Sequence, residues 1–129
     1  FPPKSFDWLH ASQCLEHLRN PVAVLINQWL PLVRERAIIT VPSWELYERM
    51  VWPSRNNPDH KATFSMWQRG SPAEWHVYMP WLVDTLKRAG WPGTTATLID
   101  TNYNYQRTDD QTFIESDGVE AFIELIVQK

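Results

Sequence analysis

Four residues have the types and the spacing to do chemistry together: Gln13, Glu16 and His17 in one short run, and His60 further along the chain. A carboxylate and two imidazoles make a competent set of ligands for a divalent cation. They can act only if the fold brings them to one place. Phe6–Ala11 is short and mostly apolar and is followed by polar Ser12-Gln13, so it reads as a buried strand ending near Ser12. Gln13, Glu16 and His17 then come just after the carboxyl end of a strand, where open α/β sheets bind ligands. His60 lies in a long loop after the next strand and can reach the same end. Taken alone, a histidine such as His60 is more often a hydrogen-bond partner within its loop than a ligand.

The positioning elements can be read from local pattern. Asn20 is a good N-cap and Pro21 suits a first helical turn. Val22, Leu25, Ile26, Trp29, Leu30 and Val33 recur at helical spacing, with Pro31 bending or ending the helix late. Arg36–Pro42 reads as a second buried strand, completing a strand–helix–strand unit with a parallel pair. Ser43–Gln68 reads as a long functional loop with a short helix over Glu45–Val51. Ser71-Pro72-Ala73-Glu74 has the form of a capping box. It predicts a helix through Trp75, Tyr78, Met79, Leu82 and Leu86, kinked or split at Pro80 and ended by Gly90. Thr94–Asp100 and Gly118–Val127 read as two final strands joined by a polar turn, hence an antiparallel pair.

Composition narrows the possible functions. A chain of 129 residues, 43% of them hydrophobic, suits a single domain with a real core. A net charge of −3 without a basic block argues against binding duplex nucleic acid by charge. One cysteine, Cys14, excludes an internal disulfide and fits a reducing compartment. Phe1–Lys4 lacks the apolar core of a secretory leader, and the Val22–Val33 stretch is too short and interrupted to span a bilayer. The expectation is therefore a cytoplasmic protein. The glycines, Gly70, Gly90, Gly93 and Gly118, form no Gly-x-Gly turn to cradle a phosphate. The remaining polar residues carry structural expectations. His10 reads as a satisfied core histidine, His76 as a surface residue on a helix, Cys14 as a small packing residue, and Asp109-Asp110 and Glu115 as a solvated turn. Trp44, Trp52 and Trp67 read either as a stacking platform for a sugar or base, or as cover for the core.

Phe6-Asp7 through Leu15-Glu16-His17-Leu18, then Asn20-Pro21, resembles the fourth-strand region of class I methyltransferases that use S-adenosylmethionine. Thr40-Val41-Pro42, Pro58-Asp59-His60-Lys61 with Phe64, and Ala121–Leu125 are similar to later parts of that superfamily. The resemblance implies an α/β fold: half of a Rossmann-like methyltransferase sheet with strands 4-5-7-6, the last strand antiparallel, and flanking helices. Residues 1–129 would form one truncated methyltransferase-like domain. Strands 1 to 3, with the glycine-rich turn and the acidic residue that holds the ribose, would be lacking.

The resemblance also implies roles. Ser12, Gln13 and Cys14 would flank the methionine end of S-adenosylmethionine, provided the N-terminal half is supplied. Glu16, His17 and His60 would hold a divalent metal at the acceptor side. This is similar to metal-dependent small-RNA 2′-O-methyltransferases and ubiquinone-pathway O-methyltransferases, whose pattern is Glu-x-x-Glu-His plus a later His. Gln13 replaces the first Glu of that pattern. In metal-free members the same Glu-His pair shapes the pocket and caps the next helix, and both roles stand open. The resemblance names no general acid, base or nucleophile. An apolar strand at Phe6–Ser12 without its usual neighbour would pair with a second copy or with the missing half. The resemblance is compatible with two functions: the C-terminal part of a methyltransferase unable to bind cofactor alone, or a non-enzymatic fragment that self-associates or binds a partner chain.

Overall fold

β-branched residues dominate Val33–Pro42, and this segment forms the central strand of a mixed sheet. A computed structural model describes residues 1–55, 57–100 and 121–129. β1 (Phe6–Ser12) lies parallel to β2 (Val33–Pro42). β6 (Ala121–Gln128) runs antiparallel to β2 on its other side, and β5 (Thr95–Asp100) is antiparallel to β6. The order is β1-β2-β6-β5. The α/β class, the parallel β1–β2 pair and the antiparallel final pair agree with expectation. The expected turn over 103–117 with its acidic residues, and Gly118–Glu120 of the last strand, lie outside the described residues.

The helical connection between β1 and β2 starts as the sequence predicts. The Asn20 side chain accepts a hydrogen bond from the Ala23 amide at 3.3 Å, and Pro21 opens the helix α1, Pro21–Val24. The coil then widens to i→i+5 bonding over Leu25–Trp29 and tightens over Leu30–Leu32. Pro31 explains this. It has no N–H to donate, and in a regular α-helix its ring would clash with the carbonyl four residues back. β2 then starts at Val33, three residues earlier than the sequence pattern predicts.

One sheet face is covered. Leu9, Ala11, Ala37, Ile39, Val41, Leu98, Ile123, Leu125 and Val127 join one cluster with Leu25, Leu30, Met79, Leu82 and Leu86 from the helical segments. The opposite face carries Trp8, His10, Arg36, Ile38, Ile126 and Gln128 in cross-strand register. Trp8 and His10 there are exposed, and the other four are half-buried. β1 is therefore not the buried strand expected. Only Ala11 of its seven residues is buried, while Phe6 is 41% and Trp8 62% exposed. Among the described residues it sits at the edge of the sheet with no cover on one face, and His10 is solvent-facing rather than a core residue for the same reason.

The second half departs further from the sequence reading. Glu45–Val51 forms turns instead of a helix. The capping-box segment does not start a helix either. Trp75–Tyr78 is a strand, β4, parallel to β3 (Ala62–Ser65), which the sequence reading missed. The helix α2 begins at Met79 (Met79–Arg88). Pro80 therefore falls in its first turn, where a missing N–H costs nothing, instead of kinking a longer helix. Aromatic and β-branched Trp75, Val77 and Tyr78 suit the strand that precedes it. The helix stops as predicted: Gly90 takes φ +103° and the Trp91 amide donates to the Leu86 carbonyl at 3.0 Å, closing a Schellman-type turn.

Candidate metal centre

β1 and β2 are parallel, so their carboxyl ends lie together and the loops leaving them can meet. After Ser12 the chain turns through Gln13, which has a left-handed backbone (φ +57°) and donates its amide to the Thr40 carbonyl at 2.9 Å. A single 3-10 turn, Leu15–His17, comes next. From the β2 side, the Lys61 amide donates to the Glu16 carbonyl at 2.6 Å. That bond fastens the loop before β3 to the turn after β1 and brings His60 beside Glu16 and His17. One ligand atom from each of these three residues lies within 4.8 Å of the others. The sequence reading grouped the same three residues.

Both imidazoles are held through Nδ1. His17 Nδ1 lies 2.9 Å from Oδ2 of Asp59, and His60 Nδ1 lies 2.7 Å from Oε2 of Glu48. Nε2 is then the ring nitrogen left to each histidine for a ligand. The two rings meet edge to face at 5.0 Å, and Tyr47 stacks on His60. Glu16 is fully buried, and neither of its carboxylate oxygens has a hydrogen-bond partner among the described residues. Burial pushes its carboxyl up to about 7 from 4.5, although the charge of nearby His60 pulls the other way. Asp59 is shifted in the opposite direction. Hydrogen bonds from Lys61 and His17 hold it below its ordinary value.

A buried carboxylate with no donor is costly unless something positive meets it. Here it faces two histidines oriented by carboxylates, the arrangement that typically surrounds a metal-ligating imidazole. The donor set of one oxygen and two nitrogens suits zinc, manganese, iron or cobalt.

The other predicted site residues fall nearby but outside the cluster. Ser12 accepts a hydrogen bond from Thr40 Oγ1 at 2.9 Å, and Gln13 is exposed. Cys14 is exposed, with Sγ 3.4 Å from the Ser12 carbonyl, so it is not the packing residue expected. It comes after an edge strand that, among the described residues, is paired on one side only. His76 is half-buried on β4, where its Nδ1 lies 2.6 Å from Thr63 Oγ1 and its Nε2 3.1 Å from Ser65 Oγ; it pins β3 to β4 rather than facing solvent from a helix. Among the loop tryptophans Trp44 is buried, Trp52 half-buried and Trp67 exposed. Glu48 and Asp59, which hold the two histidines of the cluster, are the residues that sequence reasoning missed. Asp59 adjoins His60 in the Pro-Asp-His-Lys run, which was a usable signal, but Glu48 had none. Compared with protein-family models, curated proteins and solved structures, the chain has no significant match. Among the described residues, no helix is long and apolar enough to cross a membrane.

Proposed function

We propose that this chain is the acceptor-side part of a divalent-cation-assisted methyltransferase of the Rossmann-like class, with the grip on S-adenosylmethionine supplied by another segment. The observation that carries this reading is the Glu16–His17–His60 cluster: a buried carboxylate without a hydrogen-bond partner beside two histidines already oriented through Nδ1. The order β1-β2-β6-β5, with β6 antiparallel to both neighbours, supports it, because strands 4-5-7-6 of that class run the same way.

The chain's residues fit a cation. Glu16 with Nε2 of His17 and of His60 would hold it, and three protein ligands leave further positions for an acceptor oxygen. When bound, a divalent cation supplies Lewis acidity, making an acceptor hydroxyl more acidic and better placed to receive a methyl group. Asp59 and Glu48 orient the rings, and the burial of Glu16 excludes water from one side of the site. The residues do not by themselves fit S-adenosylmethionine. Ser12, Gln13 and Cys14 form only a short strip at the end of β1, and no Gly-x-Gly turn accompanies them.

Titration calorimetry separates the parts of this reading. Manganese or cobalt is expected to bind the 129-residue chain at one site, and S-adenosylmethionine is expected not to saturate it. Absence of any cation binding by the folded chain rejects the metal-assisted reading. Saturable cofactor binding rejects the idea that the grip comes from elsewhere. A second reading, a methyltransferase-like fragment that self-associates or binds a partner chain, is favoured by a different observation, the solvent-exposed Phe6 and Trp8 on an edge strand.

A further inference from the structure

The two histidines of the cluster are held in unlike ways. Asp59, which holds His17, is 65% exposed and divides its carboxylate between His17 and Lys61, whose Nζ lies 3.0 Å from Oδ1. Glu48, which holds His60, is buried, and both its oxygens are used. Ser54 Oγ donates to Oε1 at 2.6 Å, and His60 Nδ1 lies 2.7 Å from Oε2. His60 itself is 8% exposed. Burying a carboxylate and an imidazole together brings little net stability, because desolvation offsets most of their attraction.

The backbone that delivers Glu48 is also unusual. The Glu48 amide donates to the Ser43 carbonyl at 3.0 Å, and the Glu48 carbonyl accepts from Val51 at 3.1 Å. Between these anchors Arg49 and Met50 both take φ +56°. Neither is glycine, asparagine or aspartate, and the left-handed conformation crowds the Cβ of any other residue against the following carbonyl oxygen. Strain of this kind persists where surrounding structure imposes it, and it gathers at functional sites. Here it carries the chain sharply away after Glu48, whose side chain faces inward on His60 while Met50 faces solvent.

We propose that Glu48 is the positioning residue of the metal centre: by accepting the Nδ1 hydrogen of His60 it fixes that ring's tautomer and plane and makes Nε2 the ligand atom, with the left-handed pair Arg49–Met50 serving to place it. This rests on reading Glu16, His17 and His60 as a divalent-cation site. Asp59 does the same for His17 less firmly, since solvent and Lys61 compete for it.

Two readouts on the full chain test the proposal. In cobalt titrations, Glu48→Ala is expected to bind roughly 10- to 100-fold more weakly than the wild type, the usual cost of losing such a partner. Its visible cobalt spectrum should also change. Glu48→Gln, which keeps an acceptor of the same shape without the charge, should recover part of the affinity at an unchanged melting temperature. Nitrogen-15 NMR of the metal-free chain, with the neutral ring selected by raising the pH, should place the His60 proton on Nδ1 in the wild type and in Glu48→Gln, and on Nε2 in Glu48→Ala. Glu48→Ala with the wild-type tautomer overturns the proposal. So does a loss of cobalt affinity in Glu48→Gln that merely tracks lost stability. If the wild type binds no cobalt, the metal reading fails, and the tautomer measurement still decides whether Glu48 positions His60.

Discussion

Within a short stretch the chain passes from one kind of anomaly to its opposite. Phe6 and Trp8 on β1 place large apolar side chains in water, whereas Glu16, in the turn just after that strand, places a carboxylate in the core. Ordinary sorting of side chains would reverse both. The two regions share a cause, because β1 ends the sheet and the turn after it plugs into the loop from β2. They differ in what would relieve them. An exposed apolar edge with free backbone groups is relieved by another chain or segment. A buried carboxylate among fixed imidazoles is relieved by a cation or a proton. One region therefore calls for a macromolecular partner and the other for a small charged one.

The largest effect that would sharpen this contrast is loss of the cation. His60→Ala or Glu16→Ala should abolish measurable manganese or cobalt binding in calorimetry. In the wild type, a free cation at about 100 times its dissociation constant should add about 2.7 kcal/mol of stability, which is roughly 10 °C in melting temperature for a chain of this length. A cation that binds both variants as tightly as the wild type would place the site elsewhere.

The proton is the alternative relief, and its sign is fixed by the shift. The Glu16 carboxyl is raised to about 7 from an ordinary 4.5, so the folded chain holds a proton that the unfolded chain has released. Stability of the metal-free protein should therefore fall as pH rises from about 4.5 to about 7, by roughly 3 kcal/mol in all, and level off above that. Urea denaturation in EDTA at about pH 4 and about pH 8, on either side of that window, measures it. Glu16→Gln should flatten this slope. A wild-type stability that rises over the window would contradict a protonated Glu16. Cation affinity should run the other way and increase toward about pH 8, because the ligand form of Glu16 is the ionised one.

The contrast also explains what was legible in the sequence. β2, β5 and β6 are regular apolar or β-branched runs that local pattern identifies, and the Asn20-Pro21 and Gly90 signals mark helix ends correctly. Glu16, His17 and His60 were legible because each comes after a strand whose end could be read. What escaped depends on pairing across the chain. Ala62–Ser65 is too short to carry a pattern, and Trp75–Tyr78 comes after a Ser-Pro-Ala-Glu run that imitates a helix start. Only the β3–β4 pair and the N-terminal preference of Pro80 decide against a helix there. Glu48 was hidden because its turn uses left-handed Arg49 and Met50 where a glycine would have announced one. His10 was misjudged because burial of a strand depends on its neighbours in the sheet, which its own residues do not reveal.

The smallest effect concerns the apolar half of the contrast. Trp8 is 62% exposed, its indole Nε1 donates to Glu35 at 3.2 Å, and Arg36 lies over its ring. These are surface contacts, so Trp8→Lys should change folding stability by no more than about 0.5 kcal/mol. Its effect should appear in association. A lysine on an edge strand discourages pairing, so light scattering of concentrated samples should report a complex for the wild type and a monomer for Trp8→Lys. A wild type that stays monomeric at high concentration would remove the case for self-association and leave a different chain or segment as the occupant of β1. If Trp8→Lys cost several kcal/mol, Trp8 would be part of the core after all, and the two regions would not be opposites.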